Sequence, residues 1–166
     1  MEIKENYLPK KEYDLLFDAM TNHWFPWGFV PVQVASDHDG SPYYSSPDIN
    51  DWHLTHMVYD GQYNSPHQPV FDYLVHSLNA EKIYRVKANL LLPCGEHVKS
   101  GFHTDGDNVK TTIFYLNTCN GYTELEDGTK IDCVKNRLAT FDSNIKHNAV
   151  RQTDTKTRYV INIMWK

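Results

Sequence analysis

A mainly β fold with helices on one outer face is what this 166-residue sequence predicts. Three observations carry that expectation. Both stretches of helical periodicity lie in the first half, the second half alternates apolar and polar residues, and the last alternating run has one wholly apolar face.

The first helix is expected from Pro9 to Asn22, where Tyr13, Leu16, Phe17 and Met20 recur at one-turn spacing. The second is expected from Pro69 to Glu81, on Phe71, Leu74, Val75 and Leu78. Each begins at a proline, whose missing amide costs nothing in a first helical turn. Between them, Phe25 to Gln68 has little periodicity and holds Pro26, Pro31, Pro42, Pro47 and Pro66. Short strands are expected over Gly28–Ala35 and Leu54–Tyr59, within ordered loop held by aromatic anchors.

From Lys82 the character changes. Strands are expected over Ile83–Leu92, Lys110–Asn117, Leu138–Phe141 and Thr157–Trp165, with a shorter one over Ile145–Arg151. Gly95, Gly101, Gly106, Gly121 and Gly128 punctuate them, and Asp127-Gly128 is a tight-turn signal. With no repeat, low-complexity tract or linker, a single domain is expected over 1–166: helical support and lid about 8–81, strand-rich core about 82–166.

In the last strand Tyr159, Ile161, Ile163 and Trp165 alternate with Arg158, Val160, Asn162 and Met164. The first set suits packing beneath the helices. The second puts a cation on an inner face, where an unpaired charge is expensive. A bound carboxylate would serve as its partner.

Composition narrows the classes. The net charge is -5 with 40% apolar residues, which reads as soluble and globular. Residues 1–80 carry three basic and eleven acidic side chains, and residues 81–166 carry thirteen and ten. No basic run suggests nucleic acid, and no apolar stretch approaches the roughly 18–20 residues of a membrane span. Acidic residues near Met1 argue against a secretory signal, and three cysteines without a CxxC pair form no disulfide framework. A cytoplasmic location is the expectation.

Nine histidines make a chance His-x-Asp pair unsurprising, so His103-Thr104-Asp105 alone carries little. Its geometry is suitable, because positions two apart on extended chain point the same way. His147 follows in a strand-like segment, and Arg158 follows that. The polar interval Gln152–Lys156 reads as a hairpin turn setting their strands side by side, both residues facing inward. Two histidines and one carboxylate leave metal positions open for a chelating cosubstrate and dioxygen. A nearby arginine can grip the cosubstrate's far carboxylate in bidentate fashion.

With these residues in view, Ile83 to Trp165 resembles the iron(II)- and 2-oxoglutarate-dependent dioxygenases, in particular their prolyl-4-hydroxylase-like branch. His103-x-Asp105, His147 and Arg158 match that family's metal triad and cosubstrate arginine in order and approximate spacing. Thr111-Thr112-Ile113-Phe114-Tyr115-Leu116-Asn117 is similar to its strand ending in Tyr-Leu-Asn. Asn120 to Leu125 resembles its Gly-Gly-x-Thr segment, Phe141-Asp142-Ser143 its Phe-x-Ser stretch, and Arg158 to Ile161 its arginine strand. The resemblance implies a double-stranded β-helix, a jelly-roll or cupin-like barrel, with the helices outside. It implies Fe(II) on His103, Asp105 and His147, with 2-oxoglutarate and O2 as cosubstrates. Arg158 and Tyr115 would hold the distal carboxylate, with Thr111 on the same strand face as a further contact.

The implied activity is hydroxylation of an unactivated C–H bond, releasing succinate and CO2. A prolyl residue in a protein or peptide is the leading substrate class, ahead of a free amino acid or small metabolite. A non-catalytic metal- or ligand-binding barrel is the competing class. Two departures from the pattern stand out. Leu91-Leu92-Pro93-Cys94-Gly95 lacks the tyrosine usual before the first histidine, leaving Asn89 or Tyr84 to replace it, and Asn120-Gly121 replaces the double glycine. The region 36–68, with Tyr43, Tyr44, Tyr59 and Tyr63, is the expected substrate-covering lid. His97 reads as a solvated loop residue, His53 and His56 as no separate metal site, and Trp24, Trp27 and Trp52 as core or lid anchors.

Overall fold

The alternating runs of the second half must pair their backbone amides and carbonyls, and in the computed structural model they do so within two antiparallel sheets. The structure describes residues 1–31 and 52–166. The elements are β1 (Glu2–Lys4), α1 (Lys10–Thr21), β2 (Gly28–Val30), β3 (His53–Tyr59), a 3-10 turn (Gln68–Val70) and α2 (Asp72–His76). Then come β4 (Ile83–Leu91), β5 (Lys110–Tyr115), β6 (Tyr122–Leu125), β7 (Lys130–Asp132), β8 (Arg137–Asp142), β9 (His147–Val150) and β10 (Arg158–Trp165).

The large sheet has the order β1-β8-β5-β10-β4-β3-β2, and the small one β7-β6-β9. Isolated bridges from Lys99 to Val150 and from His103 to His147 lengthen the small sheet by one irregular segment. The two sheets face each other as the halves of a double-stranded β-helix. Among the described residues they are hydrogen-bonded separately.

Periodicity decides which residues enter which core. Ile161 and Ile163 of β10 are buried against Leu16 and Met20 of α1 and Leu74 of α2, with Tyr159 and Trp165 alongside. Val160, on the opposite face, joins Leu91, Ile113 and Tyr115 from the large sheet and Leu125 and Ile131 from the small one. The helical layer and the space between the sheets are thus served by one alternating strand.

Three differences from the sequence expectation are physical. The Pro69–Glu81 helix breaks into a 3-10 turn and the five-residue α2, and the chain leaves it through Asn79 in the left-handed region. β9 and β10 are not neighbours, because Gln152–Lys156 carries the chain from the small sheet to the large one. β1, β6 and β7 are too short to register as alternation, although Gly128, at φ +86°, makes the expected turn between the last two. Tyr43, Tyr44 and residues 32–35 of the strand expected over Gly28–Ala35 lie outside the described residues. No helix among the described residues is long and apolar enough to cross a membrane.

Candidate metal centre

A cavity of about 440 Å³ opens between the sheets. β4 contributes Arg85, Lys87, Asn89 and Leu91 to its wall, and β10 contributes Arg158, Val160 and Asn162. These are the inward sets of two paired strands, with Asn89 opposite Val160 and Lys87 opposite Asn162. His103, Asp105 and His147 form the facing wall.

Backbone pairing brings the two histidines together across 44 residues of sequence. The amide of His103 donates to the carbonyl of His147 (3.0 Å), and the amide of His147 returns the bond (2.9 Å). Their rings lie 4.5 Å apart between centroids, and Phe141 packs edge-on against His147. Nδ1 of His147 lies 3.1 Å from the carbonyl of Ile145, and Nδ1 of His103 lies 3.4 Å from that of Gly101. A carbonyl only accepts, so each Nδ1 carries a proton, which leaves Nε2 as the atom a metal would use. Burial, with His147 alongside, holds the His103 pKa below its ordinary value, which favours the neutral form a metal needs.

Asp105 is fixed more firmly still. Its amide donates to the carbonyl of Ser143 (3.0 Å). Nη2 of Arg85 donates to Oδ1 (2.6 Å), while Nδ2 of Asn162 (3.1 Å) and the Thr111 hydroxyl (2.8 Å) donate to Oδ2. Burial works against its ionisation, yet Arg85 and the Asn162 amide outweigh it and hold the carboxyl at about 2. A carboxylate has about four acceptor sites, so three donors leave one for a cation. One ligand atom from each of His103, Asp105 and His147 falls within 4.8 Å of the others. Two imidazoles and one carboxylate with an open side suit Fe(II).

Arg158 is 1% exposed, and its Nε and Nη1 have no hydrogen-bond partner among the described residues. Nη2 reaches the Thr123 hydroxyl, at 3.4 Å. Two orphaned donors on a buried guanidinium facing a cavity fit a bound carboxylate. The guanidinium is placed by a close backbone approach at Gly121. A Cβ there would stand 2.9 Å from the Val150 carbonyl oxygen and 3.0 Å from both the Gln152 amide nitrogen and Arg158 Cδ. Asn120, the other half of the departure from a double glycine, staples the crossover. Its side chain bonds Thr153 twice, and its amide bonds the Asp154 carboxylate.

Tyr115 and Thr111 sit behind the wall rather than on it. The Tyr115 hydroxyl donates to Thr123 (2.9 Å), and its ring lies 5.9 Å from the Arg158 guanidinium carbon. Burial raises its pKa, so the phenol stays protonated and donates. The Thr111 hydroxyl is spent on Asp105 and Ser143, which makes it a positioning group for the carboxylate. Of the two candidates for the absent tyrosine, Asn89 borders the cavity, whereas the Tyr84 ring carries Lys82 over it and lies off the wall. Tyr59 packs against the helical core and Tyr63 is exposed, so neither lines the cavity.

Sequence reasoning missed Arg85, Lys87, His53 and Thr123. A usable signal is present, because Arg85, Lys87 and Asn89 alternate with Val86, Ala88 and Leu90 as Arg158 and Asn162 do in β10. His53 is buried, its Nδ1 has no partner among the described residues, and burial followed by Lys87 and Arg151 pushes its pKa down to about 3. His56 faces away, bonding Ser65 (2.7 Å), and His97 bonds the Arg151 carbonyl (2.7 Å). Trp27 packs against the helical core as expected, whereas Trp24 is exposed.

Two facing sheets form a double-stranded β-helix with the His-x-Asp…His group on its inner wall, and solved structures share that fold. A prolyl hydroxylase from Trichoplax adhaerens aligns over 99% of this chain and 82% of its own, with a TM-score of 0.71 and 18% identity. A prolyl-4-hydroxylase from Pseudomonas putida covers 99% and 91%, with a TM-score of 0.59 and 14% identity. A 2OG-Fe(II) oxygenase family oxidoreductase from Burkholderia pseudomallei covers 84% and 73%, with a TM-score of 0.57 and 12% identity. No protein-family model and no curated protein matches the chain.

Gly121→Ala should cost about 1–3 kcal/mol, because the added methyl meets backbone that cannot yield; denaturant unfolding measures it. Thr111→Val keeps the side-chain shape and removes one donor from Asp105. Fe(II) affinity should fall about 10–100-fold by anaerobic chelator competition, with the fold retained.

Proposed function

We propose that the protein is an Fe(II)- and 2-oxoglutarate-dependent oxygenase. It hydroxylates an unactivated C–H bond, with a prolyl residue in a protein or peptide as the leading target, and releases succinate and CO2. One observation carries the reading. The His103, Asp105 and His147 ligand atoms share a cavity wall with a buried arginine whose Nε and Nη1 have no partner among the described residues.

The bound metal and cosubstrate would supply the activation of dioxygen. The chain supplies position. His103 and His147 offer their Nε2 atoms, and Asp105 adds one negative charge on a site already aligned by Arg85, Asn162 and Thr111. Arg158 takes the distal carboxylate of 2-oxoglutarate with its free donors. Thr123, itself held by Tyr115, accepts from Arg158 and limits its swing. Leu91, Ile113 and Val160 form the apolar wall that keeps water from the reacting centre. Preference for a peptidyl target is supported by the Trichoplax adhaerens neighbour, which is a prolyl hydroxylase in complex with a hypoxia inducible factor oxygen degradation domain peptide fragment.

Anaerobic visible absorption tests the site. Adding 2-oxoglutarate to the Fe(II) protein should produce a metal-to-ligand charge-transfer band in the wild type and none in Asp105→Ala. A folded, iron-loaded wild type without the band would overturn the reading. Arg158→Gln should keep iron but need about 10–100-fold more 2-oxoglutarate to reach half-maximal absorbance, the scale of a lost charge-assisted bond.

A further inference from the structure

Two cations on the cavity wall have no anionic partner among the described residues, and the proposed chemistry uses only one. Arg158 receives the cosubstrate. The second is Lys87 on β4, whose ammonium makes no hydrogen bond or ion pair with any described residue although its side chain lines the cavity. Its strand neighbour Arg85 is satisfied by Asp105 and Asn162. Asp105 is the only carboxylate among the described residues on the wall, and it is committed to Arg85 and to the metal position. Burial, with Arg85 nearby, lowers the Lys87 pKa to about 8, so the side chain still carries a charge at pH 7.

The two cations occupy different rungs. Lys87 is opposite Asn162, whereas Leu91 is opposite Arg158. Four residues of strand separate those rungs, about 13 Å along β10. Asn162, next to Lys87, touches Asp105, so Lys87 stands at the metal end of the cavity, and Arg158 stands down the strand from it. Fe(II) with dianionic 2-oxoglutarate is neutral as a pair. The distal carboxylate of the cosubstrate would give Arg158 a direct partner, and the pair adds no net negative charge to offset Lys87. A neutral substrate needs no ammonium on this wall, and one partly withdrawn from water is better matched by an anion.

We infer that Lys87 receives a carboxylate of the primary substrate, carried close to the carbon that is hydroxylated. This rests on the oxygenase reading and names the substrate class: an amino or imino acid with a free α-carboxylate, or a peptide with an acidic residue beside the target. His53 borders the same region with an Nδ1 that has no partner among the described residues, which gives the anion a second polar neighbour.

The test uses the full chain loaded anaerobically with Fe(II) and 2-oxoglutarate, the charge-transfer band being recorded first. Calorimetry then compares L-proline with L-prolinamide, and N-acetyl-Asp-Pro-amide with N-acetyl-Asn-Pro-amide. In one pair the acid should bind about 10–100-fold more tightly than its amide partner, as for a charge-assisted hydrogen bond, and that pair identifies the source of the carboxylate. Lys87→Gln should abolish the preference and Lys87→Arg restore it, while 2-oxoglutarate affinity changes by no more than about threefold, well below the loss of such a bond. A band without acid preference in either wild-type pair, or a preference that survives in Lys87→Gln, overturns the assignment of Lys87 alone. A missing band in the wild type overturns the oxygenase reading and this inference with it.

Discussion

One carboxylate holds the two halves of the molecule in register. Asp105 lies just beyond the irregular segment that lengthens the small sheet, yet its oxygens are bound by Arg85 of β4, Thr111 of β5 and Asn162 of β10, all on the large sheet. Its side chain is 4% exposed and that of Arg85 26%, so the pair is largely withdrawn from water. Removing one partner of such a pair leaves the other charge stranded, and breaking it costs more than making it gains. The residue that ties the walls together is therefore also one of the three whose ligand atoms could hold a metal.

The cavity that results has a division of labour along its length. His103 and His147 are fixed by reciprocal backbone bonds, so their placement depends on chain pairing and is insensitive to side-chain packing elsewhere. Arg158 depends on the opposite kind of support, a crowded backbone passage at Gly121 and the Asn120 staple over the crossover. The chain passes from the last histidine to the arginine by changing sheets, which is why the two groups face each other across space.

Much of this arrangement is legible in the amino-acid order alone. The β10 pattern assigns Ile161 and Ile163 to the helical side and Arg158 to the interior, because a period of two leaves a strand no other choice. The same reasoning extends to β4 but is obscured there, since its polar inward positions are followed by the uniformly apolar Leu90-Leu91-Leu92. What the pattern cannot carry is the partner of a strand. A polar turn such as Gln152–Lys156 serves a hairpin within one sheet and a crossing between two equally well, so the pattern suggests β9 and β10 side by side when they stand opposed. Hydrogen-bond economy is equally invisible in sequence. Tyr115 and Thr111 lie on the expected strand face, yet their hydroxyls are consumed by Thr123 and by Asp105 before either meets the cavity.

β1 is three residues long, exposed throughout, and pairs with β8 at the margin of the large sheet. Glu2 and Lys4 flank Ile3 and pair with each other. A sheet this wide needs a terminus that refuses further strands, and a short, charged ribbon gives poor purchase to an incoming chain. What that margin offers a neighbouring chain is thus set by three residues that do not line the cavity.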